Sequence, residues 1–165
     1  MISTLIFKGK KLVVALSYFL FFLYITLAAI LLFFSPYRQA ARANIDSGMV
    51  DYNLIPFHTI TNYLRASSFI NTNILVTNLA GNVVAFMPLG FFLPLLFHRF
   101  VKFKFTILVV FVSTLSVECL QYLFRVGSFD VDDLILNTVG GALGFFIFHM
   151  IAKILRPIFQ VKAKD

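Results

Sequence analysis

Four of the chain's seven acidic residues, Glu118, Asp130, Asp132 and Asp133, fall within sixteen positions of the stretch ECLQYLFRVGSFDVDDLILN at 118–137. Carboxylates grouped this way can move protons, hold a hard cation through oxygen, or accept hydrogen bonds from N–H and O–H donors. Amides stand with them: Gln121 and Asn137 in the same stretch, Asn78 and Asn82 further upstream. Arg125 is the nearest base and the first candidate partner for Glu118, with Arg65 and Arg38 as competitors. No hydroxyl–histidine pair, HExxH or Cys–His arrangement accompanies these residues, so the common hydrolytic constellations are missing. His58, His98 and His149 are spread over the chain, and neither a metal site nor a cofactor is expected.

The elements that must position this cluster are dictated by composition. Of 165 residues 60% are hydrophobic and 13% charged, with a mean hydropathy of +0.92. A soluble domain is about 45–50% apolar and about 25% charged. The bilayer is therefore the expected solvent. Crossing it takes about 20 apolar residues, and four stretches qualify: 12–34, 74–97, 105–124 and 133–151. The first is too long for the short apolar region of a cleaved signal and reads as an uncleaved anchor, although ARA at 41–43 resembles a cleavage site. The only cysteine, Cys119, cannot form an internal disulfide. A single membrane domain over 1–165, all-α and built as a four-helix bundle, is predicted.

Basic residues set its direction. Ten of fourteen lie before the first span, between the second and third, or after the fourth; Arg38, Arg42, Arg65 and Arg125 lie on the opposite side. The positive-inside rule then puts both termini in the cytoplasm and the acidic stretch outside. The same rule accounts for the sequence pI near 9.8 without any nucleic-acid partner; membrane lipids are the expected contacts. An outer loop, 35–73, joins the first two spans. Its middle, YNLIPFHTITNYL, is amphipathic and predicts a short surface helix from about His58 to Arg65, with Ile55, Phe57, Ile60, Tyr63 and Leu64 touching headgroups.

This topology brings three sets of polar residues to one depth. Asn78 and Asn82 share a face in the outer half of the second span. Thr114, Glu118, Gln121 and Arg125 form a stripe on the third, and Asp133, Asn137, Gly140 and Gly144 form one on the fourth. An ionisable group within a span is costly and marks a functional hypothesis. Simpler roles compete: interhelical amides as glue, aspartates as N-caps for the fourth helix, GxxxG at 140–144 as a close-packing surface. Pro88 and Pro94, with Gly81 and Gly90, either kink the second span to fit its neighbours or open a cleft near Asn82.

At these residues the chain resembles the VanZ-like family of bacterial membrane proteins. NLIPF at 53–57, NLAGNVVAFMPLGFFLP at 78–94, ECLQ at 118–121 and SFDVDDLILNTVGGALGF at 128–145 carry the resemblance. It implies that Asn53, Pro56, Asn78, Gly81, Asn82, Pro88, Gly90, Glu118, Gln121, Asp130, Asp132, Asp133, Asn137, Gly140 and Gly144 are motif positions. It also implies a multi-pass protein of the bacterial cytoplasmic membrane, some of whose relatives confer low-level teicoplanin resistance. Many relatives carry an arginine directly before the SFD-like stretch, where this chain has Gly127 and Arg125 stands two residues earlier. Three functions follow as expectations. One is an outward polar site binding, or controlling access to, a lipid-linked cell-wall precursor or glycopeptide. Another is an intramembrane enzyme acting on envelope lipid through Glu118 and the Asp130–Asp133 acids, with the DVDD run holding Mg²⁺. The last is a transporter, which four spans could form only as an oligomer.

Overall fold

Four apolar runs become four long helices. A computed structural model describes residues 11–34, 52–66 and 72–161, and in order they form α1 (Lys11–Phe34), β1 (Tyr52–Asn53), α2 (His58–Ala66), α3 (Thr72–Leu96), a 3₁₀ turn (His98–Val101), α4 (Phe103–Leu123), β2 (Phe129–Asp130) and α5 (Val131–Val161). The helices α1, α3, α4 and α5 are each long and apolar enough to cross a membrane. The all-α membrane bundle expected from composition is therefore the fold. The surface helix expected from about His58 to Arg65 is α2.

The helix that carries the fourth span is longer than the expected apolar stretch of 133–151. It starts at Val131 rather than at 133 and continues to Val161 rather than ending at 151. Lys153 interrupts the apolar run, but a charge does not end a helix. The apolar part closes near Leu155. The second and third helices start about two residues earlier than expected and end one residue earlier, an ordinary uncertainty of helix ends.

The bundle centres on α3 and α5. Glycine makes their approach close. A Cβ on Gly140 would lie 2.0 Å from the carbonyl oxygen of Val83, and one on Gly144 would lie 1.9 Å from that of Met87. Phe91 stacks edge-on to Phe148 with centroids 6.0 Å apart. The pairs Val83/Gly140, Met87/Gly144 and Phe91/Phe148 rise together, so the two helices run in the same direction. Gly90 fits the same seam, its missing Cβ falling 1.8 Å from the oxygen of Gly141. The GxxxG stripe is a packing surface. Gly81 differs: a Cβ there would meet nothing within 4 Å, so close packing does not account for it. Pro88 and Pro94 both lie inside a helix that runs unbroken from Thr72 to Leu96.

Around that pair, α4 packs on α5, while α1 leans on the outside of α3. Tyr24 on α1 donates its hydroxyl to the oxygen of Ala85 at 2.8 Å, and Phe21 meets Phe92. The apolar core joins Phe86, Leu89 and Leu93 of α3 to Val110 of α4. Yet the buried face of α4 is mostly polar, reading Thr106, Val110, Thr114, Glu118 and Gln121. Its exposed residues include Leu108, Phe111, Val112 and Leu120. Polar groups in and apolar groups out is the arrangement a helix adopts when lipid surrounds it.

Candidate functional site

At one end of the bundle the segment before α2 pairs with the segment before α5. β1 and β2 are parallel, with Tyr52 opposite Phe129 and Asn53 opposite Asp130. Side chains reinforce this short ladder. Asn53 Nδ2 donates to Asp130 Oδ1 at 3.0 Å and to Thr59 Oγ1 at 3.1 Å, while the Thr59 hydroxyl donates to Asp130 Oδ2 at 2.6 Å. Asn53 Oδ1 accepts the N–H of Ile55 at 3.0 Å, forming the turn that leads into α2. Asp130 also caps its own helix. It immediately precedes Val131, and its Oδ1 accepts the N–H of Asp132 at 2.8 Å, the bond an N-cap makes.

Asp132 caps a different helix. The first turn of any helix leaves N–H groups without helical partners, and α2 has Phe57 at its cap position, where no side-chain oxygen is available. Asp132, fully buried, supplies one from α5. Its Oδ1 accepts the Phe57 N–H at 2.5 Å and its Oδ2 accepts the Ile60 N–H at 3.1 Å. The negative charge also sits at the positive end of the α2 dipole. Phe57 adopts φ 64°, a left-handed conformation uncommon for a bulky residue.

Deeper in, Glu118 is 2% exposed, and its Oε2 accepts the Asp130 N–H at 3.2 Å. One turn further along α4, Thr114 Oγ1 accepts from Asn137 Nδ2 of α5 at 2.7 Å. Gln121 turns the other way, its Nε2 donating to the Leu32 oxygen of α1 at 2.9 Å. That carbonyl would ordinarily bond the N–H four residues on, but residue 36 is proline and has none to give. With both amide groups so engaged, Gln121 Oε1 and Asn137 Oδ1 stay buried without a hydrogen-bond partner. Between α3 and α5, Asn82 Nδ2 donates to Asp133 Oδ1.

The polar residues thus gather at one end of the bundle but divide their tasks. Asp130 and Asp132 clamp the β1–α2 segment through Asn53, Thr59 and two backbone N–H groups. Asp133 faces Asn82, Asn137 faces Thr114, and Gln121 faces α1. Asn78 is half-buried on α3, Pro56 is exposed in the turn before α2, and Arg125 is exposed in the turn after α4 at φ 55°. Three neighbouring acids, Asp130, Asp132 and Asp133, with separate partners do not converge on one ion. Among the described residues no group of three His, Cys, Asp or Glu side chains could hold a metal.

Thr59 and the N–H groups of Phe57 and Ile60 belong to this constellation although their residue types do not announce it. The available signals were indirect: a helix start with phenylalanine where a cap belongs, and a proline four residues after Leu32.

Comparison with known proteins places this pattern. A family model described as VanZ/LLP1 matches residues 21–154, well over half of the chain. Protein VanZ of Enterococcus faecium is 38% identical over 72 residues, which make up 42% of this chain and 42% of that protein. The match therefore spans less than half of that relative's length. No solved structure matches.

Proposed function

The chain belongs to the VanZ/LLP1 family, and from that premise we propose that it is an outward-facing recognition protein of the cell envelope. In this reading the termini are cytoplasmic, the α2 end of the bundle faces out, and the membrane is the bacterial cytoplasmic one. The site binds part of a lipid-linked cell-wall precursor or a glycopeptide, or controls access of one to the other.

One observation carries the proposal: the interior next to Glu118 offers buried oxygen acceptors that the protein itself leaves unused. Asn137 Oδ1 and Gln121 Oε1 have no partner, each about one helical turn from the level of Glu118. Leaving such an atom unpaired costs about 1–3 kcal/mol, and a bound group with N–H or O–H donors would recover it. Sugar hydroxyls and peptide amides offer those donors. A fully ionised phosphodiester offers none.

The test pairs phenotype with abundance. Glu118→Ala and Asn137→Ala variants should each lose glycopeptide protection in a susceptible host, and binding of labelled glycopeptide or lipid-linked precursor by the purified protein, at unchanged membrane levels. Full protection from well-expressed variants rules the reading out. The enzymatic alternative rests on Glu118 alone, because Asp130 and Asp132 serve the framework; it requires turnover of labelled precursor that Glu118→Gln abolishes.

A further inference from the structure

The run from Tyr52 to Phe57 carries its side chains the wrong way round for water. Asn53 turns inward to Asp130 and Thr59. Tyr52, Leu54, Ile55 and Phe57 turn outward, at 63%, 62%, 65% and 56% exposure. Strand alternation puts Tyr52 and Leu54 on the side opposite Asn53, and Asp132 holds the Phe57 backbone while its ring points away from the protein.

This is the inversion seen on α4, where Thr114, Glu118 and Gln121 face in and Leu108, Phe111, Val112 and Leu120 face out. The position of the run is also fixed. Asn53 bonds Asp130, the residue next to Val131, where the fourth span begins. The run therefore lies at the end of the fourth span. Beside it, α2 keeps a polar stripe of His58, Asn62 and Arg65 exposed, with His58 and Asn62 hydrogen-bonded at 3.2 Å. An apolar edge next to a polar stripe, at the depth where hydrocarbon gives way to water, suits the bilayer interface.

We infer that Tyr52, Leu54, Ile55 and Phe57 form a lipid-docking surface, sunk into the interface, and that Asp132 is the positioning residue that sets its depth. The surface is distinct from the recognition site proposed above and stands whichever side of the membrane it occupies.

The chain has no tryptophan, so a single one reports its surroundings without background. Full-length Phe57→Trp and Leu54→Trp proteins, with Asn62→Trp as the polar-stripe control, are reconstituted in phosphatidylcholine–phosphatidylglycerol vesicles with or without bromine-labelled acyl chains. Phe57→Trp and Leu54→Trp should emit to the blue of the control and be quenched by brominated lipid at least about twofold more strongly. Adding Asp132→Asn to Phe57→Trp should reduce that quenching while the protein remains helical. Water-like emission and control-level quenching at both positions overturn the inference. So does a blue shift that fades as protein is diluted in lipid, since a second copy would then be the cover.

Discussion

The carboxylate of Asp132 caps α2 through Phe57, a residue 75 positions earlier in the chain. Both of its oxygens accept backbone N–H groups, so truncation strands two donors at once. Hydrogen bonds to a charged group contribute about 1.5–3 kcal/mol each. Asp132→Ala should therefore lower stability in detergent by about 3–6 kcal/mol, and Asp132→Asn, which keeps one acceptor, by less. Limited proteolysis gives the local readout. Cleavage within 52–66 should rise first, and an unchanged cleavage pattern in Asp132→Ala would show that the cap does not hold α2.

Gln121 and Leu32 make a similar bargain between α4 and α1. Replacing Gln121 with Leu or Met leaves the Leu32 carbonyl unbonded at a point where Pro36 cannot help. A stability loss of about 1–3 kcal/mol is expected. Because this bond ties α1 to α4, the loss should appear with faster cross-linker access between those helices.

The glycines make opposite predictions. Gly140→Ala and Gly144→Ala drive a methyl into backbone atoms of α3, so the helices must part and the melting temperature should fall by several degrees. Gly81→Ala meets open space and gains about 1 kcal/mol of helix propensity. It should be neutral or stabilising. Equal losses at all three positions would contradict the packing described here.

Orientation is open to a direct chemical test. With Cys119→Ser removing the only native thiol, an Asn62→Cys variant carries its thiol on the exposed stripe of α2. A membrane-impermeant maleimide should label it in intact cells. Labelling only after lysis would invert the topology and place the clamped end in the cytoplasm.

Much of this architecture was legible in the amino-acid sequence, and what was not has a common cause. Span length and hydropathy are local, so the stretches 12–34 and 105–124 match helices within two residues at each end. The amphipathic pattern of HTITNYLR sufficed for α2. Apolar content marks a membrane span and not the full helix that carries it, so the extension of α5 to Val161 leaves no hydropathy signal. The N-cap role weighed for the aspartates holds for Asp130, but the capping of α2 by Asp132 is not visible in the sequence. Its partners are backbone N–H groups, which every residue but proline possesses and which therefore leave no mark in a sequence. Gly81 and Gly140 are the same letter; only the neighbouring helix tells them apart.

The parallel pairing of Tyr52–Asn53 with Phe129–Asp130 has a consequence for how the protein is made. Residues 52–66 leave the ribosome well before 129–132 do, and three spans must be handled before the fourth arrives. Until then the α2 segment has neither its strand partner nor its cap. It is the first part of this polar framework to be synthesised and the last able to fold, so insertion of the final helix is the event that closes the structure.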